Sequence, residues 1–129
     1  NFIISHLLKK NFKKNKIKVL IIGVAYKKNT NDCRESPALK LIEILNKNKI
    51  SYDYYDPYVN ELKYFRMYGK INKKGIKNLN NLKKYTCSLI LTDHDIIDYE
   101  NILDKSNTIF DTRGVLNSHK NKKIIDFLF

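Results

Sequence analysis

A chain of 129 residues with 43% hydrophobic content is the length of one domain and can bury one modest core. No apolar run approaches the roughly 20 residues that span a bilayer, and the opening NFIISHLL is too short for a secretory signal and runs into lysines. The net charge of +12 suggests nucleic acid or an anionic surface. Of the 25 basic residues, however, only Arg34, Arg66 and Arg113 are arginines, and lysines scattered among asparagines read as a bias over the whole surface, not a groove. The expectation is a cytoplasmic protein that binds neither nucleic acid nor membrane.

In chain order, NFIISHLLKKNFKK places Phe2, Ile3, Leu7 and Leu8 near helical spacing. That stripe finds no partner within so short a segment, so residues 1–14 are expected to be the tail of a helix from a preceding domain, with the domain proper at 15–129. The chain begins with Asn instead of Met, and a fragment is expected. His6 reads as a surface or interface residue. Val19-Leu20-Ile21-Ile22 is a buried strand ending at Gly23, followed by a polar loop. Ser36 then suits an N-cap and Pro37 the first helical position. The helix shows a broad apolar face of Ala38, Leu39, Leu41, Ile42, Ile44 and Leu45, and ends near Asn46 to Asn48.

Ser51 to Tyr55 is a second strand, stopped by Asp56-Pro57. Between Tyr58 and Lys84 the pattern is least regular: a short helix is expected around Glu61 to Tyr64, then a loop or small strand, then a helix near Leu79 to Lys84. Ser88 to Thr92 is a buried strand that ends at Asp93-His94. A helix is expected from Ile96 to Lys105, with Asp95 or Asp98 near its start. Thr108 to Phe110 is the next strand, leading into Asp111-Thr112-Arg113-Gly114. Lys122 to Phe129 is either a last strand or a packed tail.

Strands separated by helices call for an α/β fold: a three-layer, Rossmann-like, doubly wound parallel sheet. Right-handed crossovers bring the strand ends to one edge, where ligands sit in such sheets. Tyr26-Lys27, Asp56, Asp93-His94 and Asp111 to Arg113 all fall there. A dinucleotide cradle needs three glycines so that the backbone can approach a pyrophosphate. The first turn, GVAYKK, has Gly23 alone. It offers instead Lys27, Lys28 and Arg34 as cations for phosphate oxygens, and the Tyr26 ring for a base or sugar.

Each of these residues also has a plain structural reading. Lys27 is equally a surface lysine, and Asp32, Arg34 and Glu35 are equally a local ion-pair cluster. Cys33 beside Arg34 could carry a lowered pKa, but no base lies near it in sequence. Cys33 and Cys87 have neither disulfide-framework nor metal-ligand spacing and read as free thiols of a reduced cytosolic chain. His94 between Asp93 and Asp95 is either an acid–base group or a strand-end hydrogen bond, and Asp111 is expected to fix its loop.

GVAYKKNTNDCRESPAL, followed by YDYYDPYV, LILTDHDIIDYENI and IFDTRGVL, resembles the C-terminal, nucleotide-sugar-binding domain of the UDP-glucose/GDP-mannose dehydrogenases, over about Ile17 to Leu116. Within that family it is most similar to the UDP-N-acetylglucosamine or UDP-N-acetylmannosamine 6-dehydrogenase branch. The resemblance implies an NAD-dependent oxidation of the sugar C6 hydroxyl to a carboxylate, for surface polysaccharide precursors, by way of a cysteine in a preceding domain. The catalytic cysteine and the domain that mainly holds NAD would lie outside this chain, no catalytic residue or metal ligand within it, and the full-length enzyme would be a homo-oligomer. Residue by residue, the resemblance implies that Tyr26 and Lys27 contact the UDP-sugar and that Arg34 reaches NAD. It implies too that Asp111 to Gly114 close on the nucleotide with Arg113 as the substrate contact. Some members have two adjacent arginines there, whereas here Gly114 follows Arg113.

Two other classes remain open on sequence: a non-catalytic α/β binding or signalling domain, and a basic nucleic-acid binder. A receiver-type signalling domain is disfavoured because GVAY after the first strand lacks an acidic pair.

Overall fold

The computed structural model describes residues 2–9 and 13–125. Its centre is strand β1 (Lys18–Ile22), whose apolar run is buried on both faces. A loop leads from it to helix α2 (Pro37–Lys47), which follows an N-terminal helix, α1 (Phe2–Lys9). Pro37 sits at the start of α2 and the Ser36 hydroxyl accepts the Ala38 N–H at 3.2 Å, the cap the sequence promised. At the other end the Asn48 side chain donates to the Ile44 carbonyl at 2.8 Å.

The chain continues through β2 (Ser51–Tyr55), β3 (Glu61–Phe65), β4 (Gly69–Lys74), β5 (Cys87–Ile90), α3 (Tyr99–Lys105), β6 (Ile109–Asp111) and β7 (Ile124–Ile125). Five strands form a parallel sheet in the order β2-β1-β5-β6-β7. Alternation along β1 divides the core. Val19 and Ile21 pack with Ala38, Leu39, Ile42 and Leu45 of α2 and with Ile4 of α1, whereas Leu20 and Ile22 pack with Leu82, Tyr85 and Ile102 on the opposite face. This is the expected three-layer α/β sheet. Because β2 lies on one side of β1 and β5 on the other, the winding reverses at β1, and a crevice opens beyond the carboxyl ends of β1 and β5.

Several local expectations are corrected. Residues 61–65 form a strand, not a helix: β3 and β4 make an antiparallel hairpin that stands apart from the main sheet. Leu62 is fully buried under it, and Phe65, Tyr68 and Ile71 pack against the α2-side core. The helix expected over 79–84 is only a 3-10 turn at Leu82–Lys84. α3 starts three residues later than expected, where the Asp98 carboxylate caps the Asn101 N–H at 3.1 Å. The closing segment contributes a short strand, β7, while residues 126–129 lie outside the described residues. So do residues 10–12 and the side chains of Phe2, Ile3, Leu7 and Leu8.

Candidate functional site

The ends of β1 and β5 meet at Gly23 and Thr92. Gly23 has φ +87, and a Cβ there would lie 2.5 Å from Thr92 Cβ, so no side chain fits. The Thr92 hydroxyl donates to the Ala25 carbonyl at 2.7 Å. Beside them Asp56, at the end of β2 and only 5% exposed, accepts the Val24 and Ala25 N–H groups on Oδ2 at 2.9 and 3.3 Å, and the Tyr58 N–H on Oδ1 at 2.8 Å. The backbone amides that would face a pyrophosphate in a dinucleotide cradle are therefore already occupied by a carboxylate. This turn does not fit NAD, as its single glycine suggested.

His94 completes the cluster. Its Nδ1 accepts the Asn29 N–H at 2.8 Å, which leaves the ring proton on Nε2, donated to Asp56 Oδ2 at 2.8 Å. The Tyr58 ring lies 4.8 Å from the imidazole, centroid to centroid, and the Tyr99 hydroxyl donates to the His94 carbonyl. With both nitrogens used and the side chain wholly buried, His94 has no face for a substrate. Of the two sequence readings, the strand-end hydrogen bond is the one the geometry matches.

Between these anchors Tyr26, Lys27 and Lys28 project from the protein. Tyr26 is 58% exposed, and its N–H donates to the Asp32 carbonyl at 2.7 Å. Lys28 is drawn to Asp95 at 3.6 Å, and the Asn29 side-chain amide donates to the Asp95 carboxylate and accepts the Asp95 backbone N–H. Lys27 forms no ion pair among the described residues, though its charge reaches Asp32. Arg34 grips Asp32 through Nε and one terminal nitrogen at 3.0 and 2.9 Å while remaining largely exposed. The guanidinium beside Asp32 holds that carboxyl down at about 2. The ion-pair reading of Asp32 and Arg34 is thus realised, and the second terminal nitrogen of Arg34 makes no hydrogen bond among the described residues. Cys33 is a free, buried thiol as expected, and the lowered pKa weighed for it is not found: burial first, and then Asp56 and Asp32, push it up to about 12. Cys87, buried in β5, is also pushed up to about 12.

Farther along the same edge, Asp111 fixes its loop as expected. One oxygen accepts the N–H groups of Arg113, Gly114 and Val115, and the other that of Leu116 at 2.8 Å. Arg113 Nε lies 3.4 Å from Asp93 Oδ1, an ion contact without hydrogen-bond geometry, and about half of the arginine side chain is exposed. Gly114 has φ +75, with the Asn117 amide 2.7 Å from where a Cβ would sit. A second arginine there would need a left-handed backbone and a displaced Asn117 side chain.

All four predicted contacts thus stand on one edge. Tyr26, Lys27 and Arg34 share a loop; Arg113 lies in the loop after β6, a strand two spacings or about 10 Å from β1. Tyr26 and Arg34 also line a cleft of about 680 Å³ closed by the β3–β4 turn, with Phe65, Arg66, Met67 and Tyr68 on its far wall. Arg113 does not line it. Arg66 was overlooked in the sequence because its turn was not seen, although it is one of only three arginines. Asn29 and Asp56 were also underread, since their partners lie 65 and 38 residues away.

Compared with known proteins, residues 20–118 match the model of the UDP-glucose/GDP-mannose dehydrogenase family, UDP binding domain. The chain belongs to this family. It is 34% identical to the UDP-N-acetyl-D-mannosamine dehydrogenase of Methanococcus vannielii over 95% of its own length but 28% of that protein's. Among solved structures, the UDP-D-ManNAc dehydrogenase from Pyrococcus horikoshii superposes with a TM-score of 0.67 at 26% identity, over 98% of this chain and 28% of that one. The UDP-N-acetyl-mannosamine dehydrogenase of Staphylococcus aureus gives 0.63, also at 26% identity, over 96% and 28%. The chain spans little more than a quarter of the relatives it matches, and that quarter is the UDP-binding domain of the dehydrogenase family. Among the described residues there is no helix long and apolar enough to cross a membrane and no cluster suited to a metal ion.

Proposed function

We propose that the carboxyl edge of this sheet binds the nucleotide of a UDP-sugar through Tyr26, Lys27 and Arg113, with Arg34 turned toward an NAD held by another domain. The observation that carries this reading is the Tyr26–Lys27 pair: an exposed ring next in sequence to an ammonium that has no ion pair among the described residues, on a loop otherwise tied down on both sides. The ring suits a base or sugar, and the cations suit phosphate oxygens. The parent enzyme on this reading is an NAD-dependent UDP-N-acetylhexosamine 6-dehydrogenase that forms the uronate. Bound NAD supplies the hydride acceptor. This chain's own residues hold and orient the nucleotide, and the covalent chemistry falls to a domain outside it, because both cysteines here are buried with raised thiol pKa values. On the same reading helix α1 belongs to the connection between the two parts.

Calorimetric titration of UDP into the wild-type chain and into Lys27→Ala tests the reading. Saturable binding that weakens at least tenfold in the variant is expected. No UDP binding, together with binding to random-sequence DNA that falls steeply with salt, would replace it with a basic nucleic-acid binder.

A further inference from the structure

We infer that His94 is a positioning residue for the nucleotide loop: its imidazole, held between Asp56 and the Asn29 amide, sets where the Lys27 ammonium stands. The inference rests on the reading of Tyr26 and Lys27 given above and extends it by naming the group that places them. The span Tyr26 to Lys28 is bracketed. On its near side Val24 and Ala25 are tied to Asp56, and the Ala25 carbonyl to Thr92. On its far side the chain turns at Asn29, whose φ of +63 lies in the left-handed region that asparagine tolerates but few residues adopt.

Asp95 and His94 hold that turn. The contacts of Lys28 and of the Asn29 side chain with Asp95 are exposed to competing water. The Asn29 N–H bond to His94 ends on a ring with no exposed surface, so its acceptor is shielded from competing water. The ring serves only as the Nε2–H tautomer, and Asp56 selects it by accepting that proton. One carboxylate oxygen therefore secures both ends of the bracket, directly at Val24 and Ala25 and through His94 at Asn29. His94 itself touches no ligand and acts through Asn29.

The test uses His94→Phe, which fills the space but offers neither donor nor acceptor, and His94→Gln, which restores one of each. Each is compared with wild type by UDP calorimetry and by amide hydrogen exchange. In His94→Phe we expect UDP affinity to fall at least tenfold and the amides of Tyr26 and Asn29 to lose protection while those of 19–22 keep it. In His94→Gln we expect affinity within about threefold of wild type. On the wild-type protein, nitrogen NMR should find Nδ1 unprotonated and bonded to the Asn29 amide, a result that needs no variant to fold. A proton on Nδ1, or loop protection unchanged in His94→Phe, overturns the inference. So does unchanged UDP affinity in His94→Phe when Lys27→Ala has lost it. If wild type binds no UDP, the functional reading falls separately, and the exchange and tautomer results alone decide the role of His94.

Discussion

Gly23 and Thr92 meet where the sheet's winding reverses: a Cβ on Gly23 would stand 2.5 Å from Thr92 Cβ and 2.6 Å from its carbonyl oxygen. The close approach lets Thr92 reach the Ala25 carbonyl and so fixes the start of the Tyr26 to Lys28 loop. Gly23→Ala must either move β5 or abandon its positive φ. A loss of about 3 kcal/mol is expected from the left-handed backbone and the overpacking together. Urea unfolding of the variant against wild type measures it.

Asp56 is the second fixed point. Its Oδ2 receives two backbone N–H groups and the His94 Nε2–H, and its Oδ1 receives the Tyr58 N–H. In Asp56→Asn, either way the amide flips, an NH2 group confronts at least one buried donor. Destabilisation of about 2–4 kcal/mol is expected, and thermal unfolding reads it.

The Asp32–Arg34 fork gives a pH signature at the edge of the proposed site. The folded pKa of Asp32, about 2, lies below its ordinary value. Its contribution to stability is therefore complete above about pH 4 and is lost as pH falls through the folded value. Carbon NMR of the Asp32 carboxyl should titrate near 2 in wild type and move up toward the ordinary carboxylate value in Arg34→Ala. Both partners are exposed, so little change in overall stability is expected with it.

Thiol reactivity tests the proposal that the covalent chemistry lies outside this domain. With burial holding Cys33 and Cys87 up at about 12, neither should react with an alkylating reagent at pH 8 in the native protein, and both should react once it is unfolded in urea. Rapid native labelling of Cys33 would show a thiol far more activated than its surroundings allow.

The parts of this fold that announced themselves in the sequence are those where one period dominates. Val19 to Ile22 is continuously apolar because β1 is buried on both faces, and Ser36-Pro37 marks its helix by capping chemistry that is local. The β3–β4 hairpin was hidden for a physical reason. A register shift between Leu62 and Tyr64 breaks the alternation, so that Leu62 is buried while Lys63 and Tyr64 are both exposed, and the run imitates a short helix. The site divides in the same way. Tyr26, Lys27, Arg34 and Arg113 could be singled out because they follow strands, a position read directly from the chain. The union of Asp56, His94 and Asn29 is made by tertiary packing across three loops, and no local pattern encodes it. Arg66 shares its cleft with Arg34 only because the hairpin brings its turn there.

The central claim is that nucleotide binds at the carboxyl edge, and mapping amide chemical shifts during a UDP titration tests it most directly. The account predicts that the shifts concentrate at Tyr26 to Asn29 and at Thr112 to Leu116, on the loops after β1 and β6. Shifts confined to the lysine-rich opposite end around Lys18, Lys49 and Lys73, or none at saturating UDP, would contradict it.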